Sequence, residues 1–292
     1  LVITTDLFLE KVHFRRDWHQ PEVAGHRCLA RGLSDIAAMG ARPAAAFLSF
    51  ALPAELAGEW ASRFVDGLLR LARVHDVPLA GGDTARAASP AAAGGALFAA
   101  DIVLVGGVRR GRALLRSGAR VGDLIYVTGA LGGAAAELAL LERDAGGYAG
   151  LVRARRGHPH LFPEPRVGVG EWLVGRARAA MDLSDGLSTD LAHLCEEAGV
   201  AAEIEAARVP VHRLALGAAG GGLELALHGG EDYELLFTAP EGRRIPGVIG
   251  GVGVRCIGRI VKAGRGRPRV SLIDAEGKRR SLRNGGWEHF RG

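Results

Sequence analysis

Glu22-Val-Ala-Gly-His-Arg-Cys-Leu-Ala-Arg-Gly-Leu-Ser-Asp-Ile-Ala-Ala-Met-Gly40 reads as a helix, with Val23, Leu29, Leu33 and Ile36 at helical spacing and Gly40 ending it. One residue is out of character: Asp35 lies on or beside the apolar face, where an unpaired carboxylate is costly. Ahead of the helix, Val2 to Thr5 reads as a strand ending at Asp6; behind it, Ala45 to Leu52 is an apolar strand closed by Pro53. Leu56, Trp60, Phe64 and Leu68, four apart, form the stripe of a second amphipathic helix. Val77 to Ala80 is a short strand running into Gly81-Gly-Asp-Thr84, and Leu97 to Val108 is another. Residues 86–96 between them are a low-complexity loop with no evident chemistry.

A break near Arg109–Ser117 opens the second half. There the pattern predicts a strand over 123–128, a helix over 131–143, a Gly- and Arg-rich loop over 146–160 and a helix over 166–177 opened by Pro165. Met181 to Gly186 is a short polar segment leading into a helix through Ala198. A strand near 201–206, a helix near 222–228, a strand at 232–238, a strand at Ile257–Val261 and a hairpin around Asp274–Gly277 follow. Strands and helices mix throughout, which predicts an α/β or α+β chain of two lobes, mixed sheets packed with helices.

Composition narrows the function classes. At 292 residues and 48% hydrophobic, the chain is long enough for one large core or two medium ones. No apolar run is long enough to span a membrane, and no charged-then-apolar leader opens the sequence. The chain starts on Leu1, inside a strand, which points to a further segment ahead of it in the native protein. Cys28, Cys195 and Cys256 form no CxxC pair, so neither a zinc site nor a disulfide framework is encoded, and a reducing cytoplasm fits. The net charge of +5 comes almost wholly from arginine, clustered at 153–156, 265–269 and 279–280 without interleaved aromatics, which reads as solvated loops rather than a nucleic-acid surface.

The GxxxxGK[ST] loop, a GxGxxG after a strand and the protein-kinase lysine and catalytic-loop set are all missing, so any ATP chemistry needs another solution. Aspartates at the ends of apolar elements offer one: Asp6, Asp35, Asp83, Asp182 and Asp185. Each alone reads as a cap or turn former. Together, as an oxygen-only set without His or Cys, they favour magnesium or manganese. Carboxylates repel phosphate, so a site that gathers both must hold divalent ions between them.

Thr4-Thr-Asp6 with Val12-His-Phe14, Leu33-Ser-Asp-Ile-Ala-Ala-Met-Gly-Ala41, Gly81-Gly-Asp-Thr84, Arg116-Ser-Gly-Ala119, Asp182-Leu-Ser-Asp-Gly-Leu187 and Gly229-Gly-Glu-Asp-Tyr-Glu-Leu-Leu-Phe237 follow one another along almost the whole chain. In this order they resemble the thiamine-monophosphate kinase family, within the superfamily of aminoimidazole ribonucleotide synthetase. The resemblance implies a two-domain fold: residues 1–113 as the N-terminal domain that binds metal and ATP and dimerises, 114–292 as the C-terminal domain. It makes Thr4, Thr5, Asp6, Asp35, Asp83, Asp182 and Asp185 metal ligands, with Asp35, Asp83 and Asp185 the catalytic carboxylates. Gly82, Asp83, Arg116 and Ser184 would contact ATP; His13, Glu231 and Trp287 would contact thiamine monophosphate. A magnesium-dependent, in-line transfer of phosphate to an acceptor already ionised needs no strong general base. The family also carries a Gly-Asp-Asp motif upstream of the first strand, which this chain does not include. Sibling ATP-using enzymes, such as selenophosphate synthetase or a hydrogenase-maturation protein, are the near alternative, although their cysteine chemistry is not visible here. A non-catalytic nucleotide-binding module is the distant one.

Overall fold

A computed structural model describes residues 1–87, 97–151, 157–218, 221–264, 266 and 268–287. Most of the Ala-rich stretch and the arginines at 153–156, 265 and 267 lie outside the described residues. The first half is built from β1 (Val2–Leu9), α1 (Pro21–Ala38), β2 (Arg42–Leu52), α2 (Glu59–Val74), β3 (Leu79–Arg86) and β4 (Ala99–Gly107). Its four-stranded sheet has the order β1-β4-β2-β3, with β2 and β3 parallel and the other pairs antiparallel.

Two of these strands run further than their composition predicts. β1 continues past Asp6 to Leu9, because its alternation persists: Thr4, Asp6 and Phe8 face α1 while Ile3, Thr5 and Leu7 face outward. β3 absorbs the Gly-Gly-Asp-Thr stretch, each residue in register with β2, so Asp83 lies within a strand opposite Ser49 rather than at a strand end. Gly82 is held at φ 150°, and a Cβ there would overlap the backbone of Leu48.

Helices α1 and α2 lie over one face of this sheet. Phe64, Leu68 and Leu71 of α2 are buried against α1, and the two backbones touch at glycines: a Cβ on Gly25 would meet Phe64 O, one on Gly67 the backbone of Glu22. Gly67→Ala is therefore expected to destabilise the fold by about 1–3 kcal/mol, since backbone on backbone cannot relax. Denaturant titration checks this; a change within a few tenths of a kcal/mol would contradict the close approach.

The second half comprises β5 (Asp123–Thr128), α3 (Gly133–Leu151), α4 (Val167–Leu173), β6 (Ala179–Asp182), α5 (Leu187–Glu197), β7 (Ala201–Glu205), α6 (Arg213–Leu216), α7 (Gly222–His228), β8 (Leu235–Pro240), β9 (Val248–Ile249), β10 (Val252–Val261), β11 (Val270–Ile273) and β12 (Arg279–Ser281). Its sheet runs β12-β11-β7-β10-β5-β8-β6, with β9 paired to β10. The loop predicted from 146 is in part helix: α3 continues past a non-helical break at Asp144 to Leu151. α4 is shorter than predicted and starts at Val167, with Arg166 rather than Pro165 at its boundary; it stops where Val174 turns extended and Gly175 takes φ 75°. α6 was not legible as a helix at all, being a single turn.

One core cluster runs across both halves: Leu29, Leu33, Phe64 and Ile102 belong to it together with Val167, Leu173, Leu235 and Phe237. α1 is thus an inner helix, with the N-terminal sheet on one side and α4 and β6 on another. That placement puts its polar residues at the junction of the halves. Among the described residues no helix is long and apolar enough to cross a membrane.

Candidate active site

Along α1 Arg31 follows Arg27 by four residues, and Ser34 and Asp35 follow Arg31 by three and four, which brings these polar side chains to one side of the helix. Each meets a different element. Arg27 is 1% exposed; its guanidinium donates to the carbonyls of His160 and His13 and to Glu231 Oε1 at 2.8 Å. Arg31 grips Asp6 of β1 with two parallel hydrogen bonds, 2.9 and 2.8 Å, and donates to the Tyr233 hydroxyl at 3.1 Å. Ser34 donates to Asp182 Oδ2 of β6 at 2.7 Å, and Asp35 accepts from the Thr4 hydroxyl at 2.5 Å.

The turn after β6 and the segment before β8 are laced together. Glu231 N donates to Ser184 O, Tyr233 N to Leu183 O and Leu183 N to Glu234 O. Glu231 and Tyr233 both take left-handed backbone angles, φ 65° and 50°, which side-chain-bearing residues adopt uncommonly. The consequence is an alternation. Glu231 and Tyr233 line the cavity below; Asp232 turns away to accept from Gly132 N and Ala134 N at the start of α3, and Glu234 pairs with Arg166. Asp190 in turn accepts from the backbone of Asp185 and Gly186, fixing the Asp182–Asp185 turn. The tail closes the site: Trp287 N donates to Asp185 O, and Gly286 N to the Thr189 hydroxyl.

Two cavities result. The larger, about 400 Å³, includes Asp6, His13, Arg31, Asp35, His160, Asp182, Ser184, Asp185, Glu231, Tyr233 and Trp287 in its wall. The smaller, about 290 Å³, is lined by Val2, Ile3, Thr4, Asp35, Ala38, Met39, Arg116, Ala180, Met181 and Asp182. Asp35 and Asp182 belong to both.

Of the residues singled out in the sequence, Thr5, Asp6, His13, Asp35, Asp182, Ser184, Asp185, Glu231 and Trp287 are gathered around the larger cavity, and Thr4 and Arg116 around the smaller. Gly82 and Asp83 are not brought to either. They sit on the edge strand β3, separated from β1 by the two strands β2 and β4, and Asp83 shares the open face of the sheet with Thr5, whose hydroxyl donates to Asp101 at 2.6 Å. Nor do the seven expected metal ligands form one cluster; among the described residues no group of three His, Cys, Asp or Glu is close enough to hold a metal by itself. Arg27, Arg31, Ser34, His160, Tyr233 and Asp190 were not singled out. The signal for the first three was present as polar residues at helical spacing leading to Asp35; nothing local marks His160.

The electrostatics divide the site in two. Burial, then repulsion from Asp35, raises Asp182 from 3.8 to about 7, and burial also raises Asp35. At the other end, burial pulls Glu231 upward but Arg27, His160 and Arg31 outweigh it and hold the carboxyl well below its usual range. Nδ1 of His160 stands 3.2 Å from Glu231, and burial keeps both His160 and its neighbour His19 neutral, the latter at about 2. One end therefore carries excess negative charge and the other a balanced carboxylate.

The raised groups fix a pH dependence. Below the ordinary value of 3.8 the Asp182 carboxyl is protonated in both folded and unfolded chains; between there and about 7 only the folded chain keeps its proton. The folded state binds more protons in that window, so stability without metal falls as pH rises through it. Asp232, raised by burial to about 7, contributes with the same sign. A divalent cation, were one bound at Asp35 and Asp182, would relieve the repulsion, and only at the higher pH. Thermal unfolding should show magnesium raising the midpoint more at about pH 8 than at about pH 5; an equal gain at both would contradict the assignment.

Family comparison fits this geometry. The family model for AIR synthase related protein, N-terminal domain, matches residues 1–107, and that for AIR synthase related protein, C-terminal domain, matches residues 120–271. Thiamine-monophosphate kinase of Salmonella typhimurium is 39% identical over 266 residues, covering 89% of this chain and 78% of the relative. The chain belongs to the thiamine-monophosphate kinase family. Two solved structures of thiamine-monophosphate kinases share its architecture. The Stenotrophomonas maltophilia kinase superposes with a TM-score of 0.79 at 35% identity, covering 95% of this chain and 85% of that one. A structure described as AaThiL complexed with AMPPCP and TMP gives 0.83 at 31% identity, covering 99% and 86%. The family's mixed α/β fold, with its two sheets, is therefore this chain's fold.

Proposed function

We propose that this chain transfers the γ-phosphate of ATP to the phosphate of thiamine monophosphate, yielding ADP and thiamine diphosphate. The observation that carries the reading is that two cavities share Asp35 and Asp182. The smaller offers an apolar wall of Val2, Ala38 and Met39 for a nucleotide base and Arg116 for phosphate oxygens. In the larger, the ionised Glu231 suits the cationic thiazolium or the aminopyrimidine amine, and Trp287 offers an aromatic face to either ring. A relative solved with AMPPCP and TMP supports the same pair of ligands.

The donor set at the junction fits magnesium. It is all oxygen, and magnesium binds through one or two carboxylates while water and substrate phosphates fill the remaining positions. Asp35 and Asp182 would hold it, with Asp185 in the wall of the same cavity, and when bound it would neutralise the charge that gathers as two phosphates meet. The chain's own part is positioning: Ser34 and Thr4 orient the two carboxylates, Asp190 holds the turn, and the acceptor oxygen, already ionised, attacks phosphorus in line without a general base. Continuous assay of ADP release tests this: release should saturate with thiamine monophosphate and stay near background with thiamine. ADP released at the same rate without acceptor would move the activity to a sibling enzyme of the superfamily.

A homodimer and a cytoplasmic setting belong to the same reading. The sheet face away from α1 exposes Ile3 (65%), Leu7 (56%) and Phe47 (38%), apolar surface that a second copy would cover. Asp83 and Gly82 lie on the strand at its edge, so their contribution to a nucleotide site would be made at that interface. Phe47→Glu is expected to shift sedimentation from dimer to monomer; a monomeric unaltered protein would overturn the pairing.

A further inference from the structure

We infer that Arg31 is the residue that reads the acceptor's phosphate, and so sets the preference for a phosphorylated over an unphosphorylated acceptor. The inference rests on the acceptor assignment above. Five carboxylates line the larger cavity, Asp6, Asp35, Asp182, Asp185 and Glu231, and among its described lining residues Arg31 is the one permanent cation. A phosphomonoester is close to doubly negative at neutral pH, so its entry is opposed by those carboxylates and needs a positive partner.

Arg31 also stands where that phosphate must lie. Its Nε and Nη2 engage Asp6, toward the carboxylate-rich end; its Nη1 is 3.1 Å from the Tyr233 hydroxyl and 3.7 Å from Glu231, the ring end. An acceptor with its ring at Glu231 and its phosphate directed toward the Asp35–Asp182 junction passes the guanidinium. The side chain is 14% exposed, so the fork is held by its partners yet open to the cavity. Burial works against its charge, while Tyr233, Asp6 and Glu231 more than restore it, so Arg31 stays a cation at any working pH. With the Nε and Nη2 edge held by Asp6, the remaining N–H groups of Nη1 and Nη2 are left for phosphate oxygens, in a plane that lysine's point charge does not offer.

Calorimetric titration of thiamine monophosphate and of thiamine, each into protein with magnesium and a non-hydrolysable ATP analogue, tests this. The unaltered protein should bind the monophosphate at least about tenfold tighter than thiamine. Arg31→Met should bring the two within about twofold by weakening the monophosphate alone. Arg31→Lys, which keeps charge and guards against a misfolded Met variant, should lose at least about threefold of the preference. Undiminished preference in either folded variant would overturn the assignment of Arg31 while leaving the acceptor reading intact. Failure of the unaltered protein to bind either compound would remove the acceptor reading, and Arg31's role with it.

Discussion

Asp182→Asn should lower turnover by about 10²–10³-fold or more while making the metal-free protein harder to unfold at neutral pH. The two effects have one cause. Asp182 is 5% exposed, and burial together with the Asp35 charge raises it to about 7. Folding therefore traps a carboxylate where a neutral group would be more stable. An amide keeps the acceptor that Ser34 bonds at 2.7 Å, so the packing survives, and it removes the repulsion. It also removes the charge that, on the proposed function, would hold a divalent ion between two polyanionic substrates. Steady-state kinetics and thermal unfolding of the same preparation read both arms. Loss of activity with a lower unfolding midpoint would mean that Asp182 is a structural carboxylate. Near-normal turnover would mean that it does not serve the phosphates.

Arg27→Met should destabilise the protein by about 3–5 kcal/mol, the usual result of breaking a buried charge pair from one side. Arg27 is 1% exposed and ties together three walls of the larger cavity: the His13 backbone, the His160 backbone and the Glu231 carboxylate. Methionine fills the volume but leaves two carbonyls and a carboxylate short of a donor. Adding Glu231→Gln to Arg27→Met should recover part of the loss, because the uncompensated charge disappears. Denaturant unfolding of the two single variants and the double variant gives the coupling. Additive losses, or a single variant within about 0.5 kcal/mol of the parent, would show that the pair is not the hub described here.

How much of this was legible beforehand depended on whether the information is local. The α1 stripe of Val23, Leu29, Leu33 and Ile36 predicts a helix because its period is fixed by local geometry, and the helix is there. Asp123 to Thr128 and residues 222–228 likewise match their expected bounds. Asp35 stood out because a carboxylate on an apolar face breaks the pattern. The Gly-Gly-Asp-Thr stretch misled as to where β3 ends, since glycine and aspartate signal a turn locally, whereas pairing with β2 is decided by the sheet. The partners of Arg27 lie far away in sequence, at His160 and Glu231, and only the meeting of the two halves brings them together. Glu231 and Tyr233 were visible as part of a motif. That they alternate with Asp232 and Glu234, two toward the cavity and two anchoring β5, α3 and Arg166, needed their backbone angles.

The most direct test of the central claim is to incubate the purified protein with ATP, magnesium and thiamine monophosphate and to separate the products by chromatography. Thiamine diphosphate and ADP are expected in equal amounts, with neither accumulating when thiamine monophosphate is left out. A folded protein that forms no thiamine diphosphate under these conditions would contradict the account.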